Sequence, residues 1–273
     1  MISLALKSTF SVPVEAEVIT PDAFAGQAVR EIERLPVVQG NAAGKLGDFF
    51  AVAGEADDTI RLEGELFRVK YVGKGMTRGR IEVFGTVGMH LGAEMRGGEI
   101  VVHGAAGDWA GAEMRGGLLR IAGDAGHLVG AAYRGSPKGM RGGTILVRGN
   151  VGNEVGCAMR RGLIAIGGTA GDFAGVMMLA GSIFILGKPG IRGGAGMKRG
   201  TIVTYGAGDG PLPLLPTFRF DCEYRPTWVG LYLRQLRAVG LALPEGSLGG
   251  LYRRYSGDFT ELGKGEILVW TSP

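Results

Sequence analysis

Residues 76–120 read MTRGRIEVFGTVGMHLGAEMRGGEIVVHGAAGDWAGAEMRGGLLR, and this stretch decides the fold because it repeats itself every 19 residues. Methionine marks the period at Met76, Met95 and Met114. Four more methionines follow after one shift of 26 residues, which is a period plus a seven-residue insertion: Met140, Met159, Met178 and Met197. A fixed period of this length indicates a solenoid in which each repeat stacks on the next.

Each repeat also carries two apolar residues at a spacing of two, such as Ile100 with Val102 or Ile164 with Ile166. This alternation, bounded by glycines, is typical of a short strand with one face inward. Glycine suits the corners, where the backbone needs positive φ and stacked chains approach closely. Four glycine columns follow the period, and we assign the structural turns to one of them: Gly79, Gly98, Gly117, Gly143, Gly162, Gly181 and Gly200. We expect the methionines to fill gaps in the interior.

Nineteen residues are too few for a βαβ unit and show no continuous helical stripe. The sequence therefore predicts a mainly β protein, a right-handed parallel β-helix (a GXGXG solenoid) of 19-residue coils with short α-containing caps at both ends. We expect the β-helix to span residues 58–206. Residues 1–57 would form an N-terminal cap with one helix, and residues 207–273 a C-terminal capping or interface tail, the boundary being a change of composition at 206–211.

Local signals suggest the elements of the two flanks. We predict an edge strand near residues 4–14 and then a single helix that Thr20 caps and that runs to about Arg34. Candidate strands at 60–62 and 67–71 lead into the repeats. In the tail we predict a helix over 226–239, a second helix over 248–256 and a final strand at 267–270.

Composition narrows the class of protein. The chain has 273 residues, 45% of them hydrophobic, and its 52 glycines far exceed ordinary usage. A formal charge of +4 is too weak for a dedicated nucleic-acid binder, and the apolar runs are too short to span a membrane. Cys157 and Cys222 lie far apart without metal or disulfide spacing, and the N-terminus lacks a signal-peptide pattern. These features favour a cytoplasmic protein.

The sequence contains no recognisable set of catalytic residues. His90, His103 and His127 fall in three different columns of the repeat, so stacking does not bring them together as metal ligands. The chain contains no nucleophile elbow, phosphate-binding P-loop or zinc-protease motif, and its aspartates are too sporadic for a calcium-binding repeat array. We therefore predict no catalytic residue, no metal site and no cofactor bound by this chain alone.

A basic residue follows most of the methionines, so stacked repeats would place a row of cations along one edge. Like charges in a row repel unless acids or an anionic partner offset them, and Glu94 and Glu113 can supply part of the offset. The row is therefore either a solvated edge neutralised by its neighbours or a site for an extended polyanion or an acidic subunit. The candidate binding residues are Arg96, Arg115, Arg134, Lys138, Arg141, Arg160, Arg161, Lys198 and Arg199.

Residues 87–102 (VGMHLGAEMRGGEIVV) and 107–114 (GDWAGAEM) resemble the C-type subunit of formylmethanofuran dehydrogenase. Residues 133–135 leading into 139–143 match that family's characteristic interruption of the repeat. The resemblance extends from about residue 21 to 218 and so covers most of the chain. The coil motif alone is less specific, because the C-terminal domain of the large subunit of glutamate synthase is a similar GXGXG solenoid.

The resemblance implies a cytoplasmic complex of several subunits in one-carbon metabolism, in one of two contexts. In methylotrophic bacteria a formyltransferase/hydrolase complex transfers a formyl group between tetrahydromethanopterin and a methanofuran-like carrier and releases formate, a stage of formaldehyde oxidation. In methanogens, the C-type subunit belongs to a molybdenum or tungsten formylmethanofuran dehydrogenase. Abundant arginine, alanine and glycine favour the bacterial context. A glutamate-synthase-like structural solenoid is a third alternative.

The resemblance also implies a non-catalytic scaffold. Its partners would be an amidohydrolase that holds the metal, a formyltransferase and a further subunit, with no nucleic acid or membrane. The carriers of this family have γ-linked glutamate tails, which are polyanions. We therefore hypothesise that the basic row guides the carrier's polyglutamate tail.

Overall fold

The structure is a computed structural model that describes residues 1–55, 57–206 and 213–271. The protein is mainly β, with one 13-stranded, mostly parallel sheet, a second sheet of four strands and few helices. The composition change at 206–211 falls almost wholly outside the described residues. None of the helices within the described ranges is both long and apolar enough to cross a bilayer.

The large sheet runs through the whole chain. Its central strands are β6 (Thr59–Glu63), β8 (Arg80–Phe84), β9 (Glu99–Val102), β10 (Leu118–Ile121), β11 (Arg141–Val147), β12 (Arg161–Ile166), β13 (Ser182–Ile185) and β14 (Arg199–Thr204). At the N-terminal end β1 (Ile2–Leu6) and β5 (Phe50–Gly54) extend it, and at the C-terminal end β17 (Lys264–Thr271), β16 (Leu251–Gly257) and β15 (Arg219–Tyr224) do so. The smaller sheet consists of β2 (Val14–Glu15), β3 (Pro36–Gln39), β4 (Ala42–Lys45) and β7 (Val69–Lys70).

The register of the parallel pairs follows the sequence repeat. Ile81 is the partner of Ile100, and Ile100 is the partner of Leu119. Across the insertion Leu119 pairs with Ile145, so the ladder continues without a slip. A second, shorter ladder of single bridges joins Leu66, Val87, Ala106, Ala125, Val151 and Ala170 in the same order.

The inner face of the sheet forms the main core. The repeating isoleucine and leucine positions are buried, and the seven methionines that mark the period are at most 1% exposed. The prediction that the methionines pack in the interior is therefore confirmed. A thioether adapts its shape to the narrow space between neighbouring rungs.

The turn glycines are required for two reasons that coincide. Gly98 has φ of +78°, which residues with a side chain rarely adopt. A Cβ at Gly98 would also lie 2.7 Å from Cε of Met76 and 2.6 Å from the carbonyl oxygen of Gly79. Gly162 repeats this arrangement, with φ of +101° and Cε of Met140 at 2.8 Å.

The outer face of β11–β14 is covered by helix α4 (Thr227–Ala238). The outward side chains Leu163, Ala165, Phe184 and Val203 are buried against this helix and Tyr252, in a second apolar cluster. The predicted helix over 226–239 is confirmed in these bounds. Because these strands are apolar on both faces, they need a covering element as well as a core.

The N-terminal segment differs from its prediction. It contains three short helices, α1 (Pro21–Phe24), α2 (Val29–Ile32) and α3 (Leu46–Phe49), instead of a single helix running to Arg34. Gly26, with φ of +70°, lies in the segment that separates α1 from α2. Thr20 does cap α1 through its side-chain oxygen. β1 is not an edge strand, because it pairs with β5 on one side and β6 on the other.

The tail also departs from expectation at one element. Residues 251–257 form strand β16 rather than a helix, after a single 3-10 turn at Ser247–Gly249. β16 pairs antiparallel with both β15 and β17, and this pairing overrides the local helical signal. The final strand is confirmed and is longer than predicted, since β17 pairs parallel with β14.

The sporadic aspartates and asparagines cap the backbone of the following repeat. Oδ1 of Asp108 accepts from the backbone N–H of His127 at 2.7 Å, and Oδ1 of Asp172 accepts from that of Ile191 at 2.9 Å. Oδ1 of Asn150 accepts from Thr169 in the same way. Side chains of this kind satisfy turn N–H groups that the strands leave unpaired.

Candidate functional site

The predicted basic row exists as a backbone ladder. From Met95 onward, the residue after each methionine of the repeat donates its backbone N–H to the carbonyl of the methionine one repeat earlier, as Arg115 does to Met95 at 2.7 Å and Arg160 to Met140 at 2.8 Å. Arg96, Arg141 and Lys198 follow the same rule. Leu179 occupies the corresponding position between Arg160 and Lys198, so an apolar residue interrupts the row.

Acids offset part of this row. Nη2 of Arg115 lies 3.6 Å from Oε2 of Glu94, and Nη2 of Arg141 lies 3.8 Å from Oε2 of Glu113. At the far end Nζ of Lys198 lies 3.6 Å from a carboxylate oxygen of Glu261. These pairs are long and partly exposed, so each contributes little to stability, but each reduces the local positive charge. The expectation that Glu94 and Glu113 compensate the row is confirmed.

Other cations of the row have no ion pair within the described part of the chain. They are Arg96, Arg134, Lys138, Arg160, Arg161 and Arg199. Four of them lie at or beside the seven-residue insertion, where Nη2 of Arg160 donates to the carbonyl of Pro137 at 3.5 Å. Arg161 is the register partner of Arg141. We call Arg134, Lys138, Arg160 and Arg161 the insertion patch.

The insertion is held by the neighbouring repeat. The N–H of Ala132 donates to the carbonyl of Cys157 at 3.1 Å, and the N–H of Gly139 donates to the carbonyl of Ala158 at 3.0 Å. A turn between Tyr133 and Ser136 closes the segment. Both ends of the insertion are therefore attached to one repeat, which presents the exposed side chains of Arg134 and Lys138 next to the row.

An aromatic cluster adjoins Glu113, whose Oε1 accepts from the backbone N–H of Tyr133 at 3.3 Å. Tyr71, His90 and Trp109 occupy equivalent positions of successive repeats, with φ between +63° and +64°. The Tyr71 and His90 rings stack with centroids 4.4 Å apart, and Trp109 stacks on Tyr133 at 4.9 Å. Nδ1 of His90 lies 3.0 Å from the hydroxyl of Tyr133, so the cluster also anchors the insertion.

Burial controls the charge of this cluster. Burial, and secondarily the nearby cations Lys70 and Lys74, lowers the pKa of His90 to about 4. His90 is therefore neutral at physiological pH. Burial also raises the pKa of the Tyr133 hydroxyl above its usual range, which keeps it protonated. The pair is a neutral hydrogen bond, and we assign it no acid–base role.

The three histidines do not converge. His103 stacks on Phe84 with ring centroids 4.4 Å apart, and Nδ1 of His127 accepts from the N–H of Asn153 at 2.9 Å. Within residues 1–55, 57–206 and 213–271, no group of histidine, cysteine or carboxylate side chains has the arrangement of a metal site. Burial raises the pKa of the Cys157 thiol to about 11, so it carries little thiolate.

The sequence pattern identified the row but not the aromatic cluster. The signal was present as aromatic residues at 71, 90 and 109, spaced by the same 19 residues. Tyr133 could not be added from the period, because it lies in the insertion that breaks it. Together the cluster, the two glutamates and the cations form a surface of stacking and charged groups, which is suited to binding.

Curated relatives match the repeat region. The chain is 47% identical over 91 residues to the C-type subunit of the molybdenum-containing formylmethanofuran dehydrogenase 1 of Methanothermobacter thermautotrophicus, a match that covers 33% of this chain and 23% of that protein. It is 46% identical over 97 residues to the C-type subunit of the tungsten-containing formylmethanofuran dehydrogenase 2 from the same organism, covering 34% and 36%. The match thus spans about a quarter to a third of these relatives. No protein-family model matches the chain.

The whole chain has a counterpart among solved structures. It superposes with a TM-score of 0.90 on a chain of the formyltransferase/hydrolase complex FhcABCD from Methylorubrum extorquens, a structure that contains methylofuran. The two chains are 36% identical, and the alignment covers 98% of each.

Proposed function

We infer the role of the chain from its family. The chain belongs to the family of the C-type subunit of formylmethanofuran dehydrogenase, which also contains the matched chain of the formyltransferase/hydrolase complex. We propose that it is a structural subunit of a formyltransferase/hydrolase complex. The complex would transfer a formyl group between tetrahydromethanopterin and a methanofuran-like carrier and release formate. The observation that carries this proposal is the alignment over 98% of both chains at 36% identity.

The alternative context is a molybdenum or tungsten formylmethanofuran dehydrogenase. The identity of 46–47% in the repeat region supports it, but that similarity covers only a third of this chain. The full-length similarity favours the formyltransferase/hydrolase complex. It also disfavours the glutamate-synthase-like alternative, because the similarity includes both flanks as well as the repeats.

We further propose that the repeats form a right-handed β-helix of 19-residue coils, closed by α-containing caps. The register of 19 between strands and the second ladder of bridges support the coil, since both recur once per period. Right-handed crossovers are the strong rule for parallel strands. The boundaries 1–57, 58–206 and 207–273 remain predictions on the same basis.

In this proposal the chain is a scaffold. The metal and the catalytic groups would belong to a partner amidohydrolase, and tetrahydromethanopterin to a partner formyltransferase, and one more subunit would be present in a cytoplasmic assembly. The chain itself would use binding groups, because its acids, cations and aromatic rings are arranged as surfaces. Methylofuran is present in the related complex and represents the class of carrier.

We propose that the insertion patch guides the acidic tail of the carrier. Arg134, Lys138, Arg160 and Arg161 have no described carboxylate partner, whereas Arg115 and Arg141 are already paired. Guanidinium and ammonium groups on neighbouring segments suit successive carboxylates along a polyglutamate chain. The paired members Arg115, Arg141 and Lys198 would be secondary, and Arg96 and Arg199 would extend the track at its two ends.

The complex is tested by affinity purification of the tagged chain from its host, with intact mass spectrometry of the retained proteins. Recovery of a metal-dependent amidohydrolase and a formyltransferase is the expected result. Recovery of molybdopterin or iron–sulfur subunits would move the assignment to the dehydrogenase. A chain recovered alone would contradict the scaffold role.

The tail site is tested with oligo-γ-glutamate as the probe. Changing all four residues of the insertion patch to glutamine should weaken binding about tenfold, which corresponds to about 1.4 kcal/mol. The matched control changes to glutamine four exposed arginines elsewhere that also have no described ion pair: Arg30, Arg34, Arg234 and Arg237. Equal losses in both variants would show a general charge effect and would reject the site.

A further inference from the structure

The outer face of β8–β10 contains a groove that the proposed function does not use. It has a volume of about 270 Å³ and opens to solvent. Its floor is apolar, formed by Val101, Ala122 and Leu146, and its rim carries three arginines, Arg80, Arg120 and Arg148, together with Glu82 and His103. The end of α4 closes one side, where Nε of Arg148 donates to the carbonyl of Gly240 at 3.1 Å.

The charges in this groove do not balance. Arg80 pairs with Glu82 at 2.5 Å and with Glu99 at 2.9 Å, and Arg120 shares Glu99 at 2.5 Å. Arg148 has no ion pair within the described residues. Three guanidinium groups therefore face two carboxylates, which leaves one positive charge in excess.

Hydrogen bonding does not change this balance. Nε of Arg120 is buried without a hydrogen-bond partner among the described residues, but its burial also closes it to an incoming group, and Nε of Arg141 and Nε of Arg160 are in the same state. The excess charge therefore belongs to the exposed guanidinium of Arg148, which one additional carboxylate would balance.

We propose that this groove receives a carboxylate side chain from a partner subunit. Because the groove opens to solvent, a side chain presented by another protein can reach it directly, whereas small-molecule sites bury most of the ligand. Outward residues of the same strands, such as Glu99 and Leu118, are partly exposed and offer a partner protein further area. Arginine is enriched at protein interfaces and among the residues that contribute most to their affinity. The inference rests on the proposed membership of a complex.

The decisive variant is Ala122→Glu. Ala122 is exposed on the groove floor, beside Arg148, so the new carboxylate would occupy the site from within the chain. We expect the variant to melt no lower than the wild type, because it gains an ion pair, and to lose partner subunits about tenfold faster from the native complex. Arg148→Gln should also release partners faster, and Ala122→Gln should do so by less than about threefold.

The control is Arg237→Gln, an exposed arginine on α4 outside the groove, which should leave retention unchanged. Wild-type retention in both Ala122→Glu and Arg148→Gln would overturn the inference while leaving the proposed function standing. Binding of acetate to the isolated chain, with assembly unaffected by the variants, would assign the groove to a free carboxylate and would also overturn it. A wild-type chain recovered without partners would overturn the proposed function and this inference together.

Discussion

The two halves of the large sheet share one inner face but have different outer faces. On the inside, Ile81, Ile100, Ile164 and Ile183 continue a single buried column through both halves. On the outside, β8–β10 carry ion-paired residues (Arg80, Glu82, Glu99 and Arg120), whereas β11–β14 carry apolar residues under α4. The repeat therefore determines the core, and the outward positions are free to serve different neighbours.

The largest expected loss of stability comes from changing the turn glycines, and it tests whether the inner face packs equally tightly in both halves of the sheet. Gly98→Ala and Gly162→Ala should each lower the free energy of unfolding by about 3 kcal/mol, combining left-handed strain of about 1–2 kcal/mol with overpacking of about 1–3 kcal/mol. Urea denaturation measures both. The control is Gly135→Ala, whose φ is +84° but whose Cβ would meet nothing within 4 Å, so it should lose only about 1 kcal/mol. A large difference between the stability losses of Gly98→Ala and Gly162→Ala would show that the two halves do not pack equivalently.

Two leucines in one column of the sheet test the difference between the two outer faces. Leu118 and Leu163 both pair with Thr144, but Leu163 is buried under α4 and Leu118 is partly exposed. Leu163→Ala should cost about 2–4 kcal/mol and Leu118→Ala less than about 1 kcal/mol. Thermal unfolding of the two variants gives the comparison. Similar losses would mean that an element outside the described residues, or a partner, covers β10 as well.

Protonation of His90 should destabilise the folded protein in acid. The folded pKa of His90 is about 4, below the 6.5 of an unfolded histidine, so the unfolded chain binds more protons between these values. Stability is complete above pH 6.5 and falls as the pH decreases toward 4, by about 1–2 kcal/mol after allowance for solvent screening of a partly exposed ring. In denaturation experiments at pH values from 7 to 4, His90→Gln should remove this part of the pH dependence of the unfolding free energy. An unchanged slope would show that other groups are responsible.

The smallest effect belongs to the charged outer face. Glu99→Gln removes the carboxylate that Arg80 and Arg120 share, and should cost about 1 kcal/mol or less at low salt. The loss should shrink in 1 M salt, where such interactions are screened. Glu223→Gln is the control, because its single exposed pair with Arg253 should contribute almost nothing. A loss for Glu99→Gln that does not depend on salt would indicate packing rather than charge.

The sequence predicted the elements inside the 19-residue repeats better than the elements outside them. The strand positions, the buried methionines and the row after them follow from residues that recur every 19 positions. The helix predicted over 248–256 is wrong, and most of that segment lies in strand β16, because pairing with β15 and β17 outweighs local propensity. The helix predicted from Thr20 to Arg34 is divided into α1 and α2, and Gly26, with φ of +70°, lies between them.

The candidate site divides in the same way. The sequence placed the cations in a row and named Glu94 and Glu113 as their counterions, both of which depend only on the period. It could not show that Arg160 contacts the insertion or that His90 meets Tyr133, because Pro137 and Tyr133 belong to the insertion, which has no equivalent in the other repeats.

By itself, the sequence determined the period, the apolar inner column, the turn glycines and the order of the cations, since each is a local pattern copied from one repeat to the next. Only the tertiary structure decided which cations are left without a carboxylate and where α4 stops covering the sheet. The reason is physical. A repeat specifies contacts between equivalent positions, whereas the insertion, the tail and their charges meet the repeats through contacts that no period encodes.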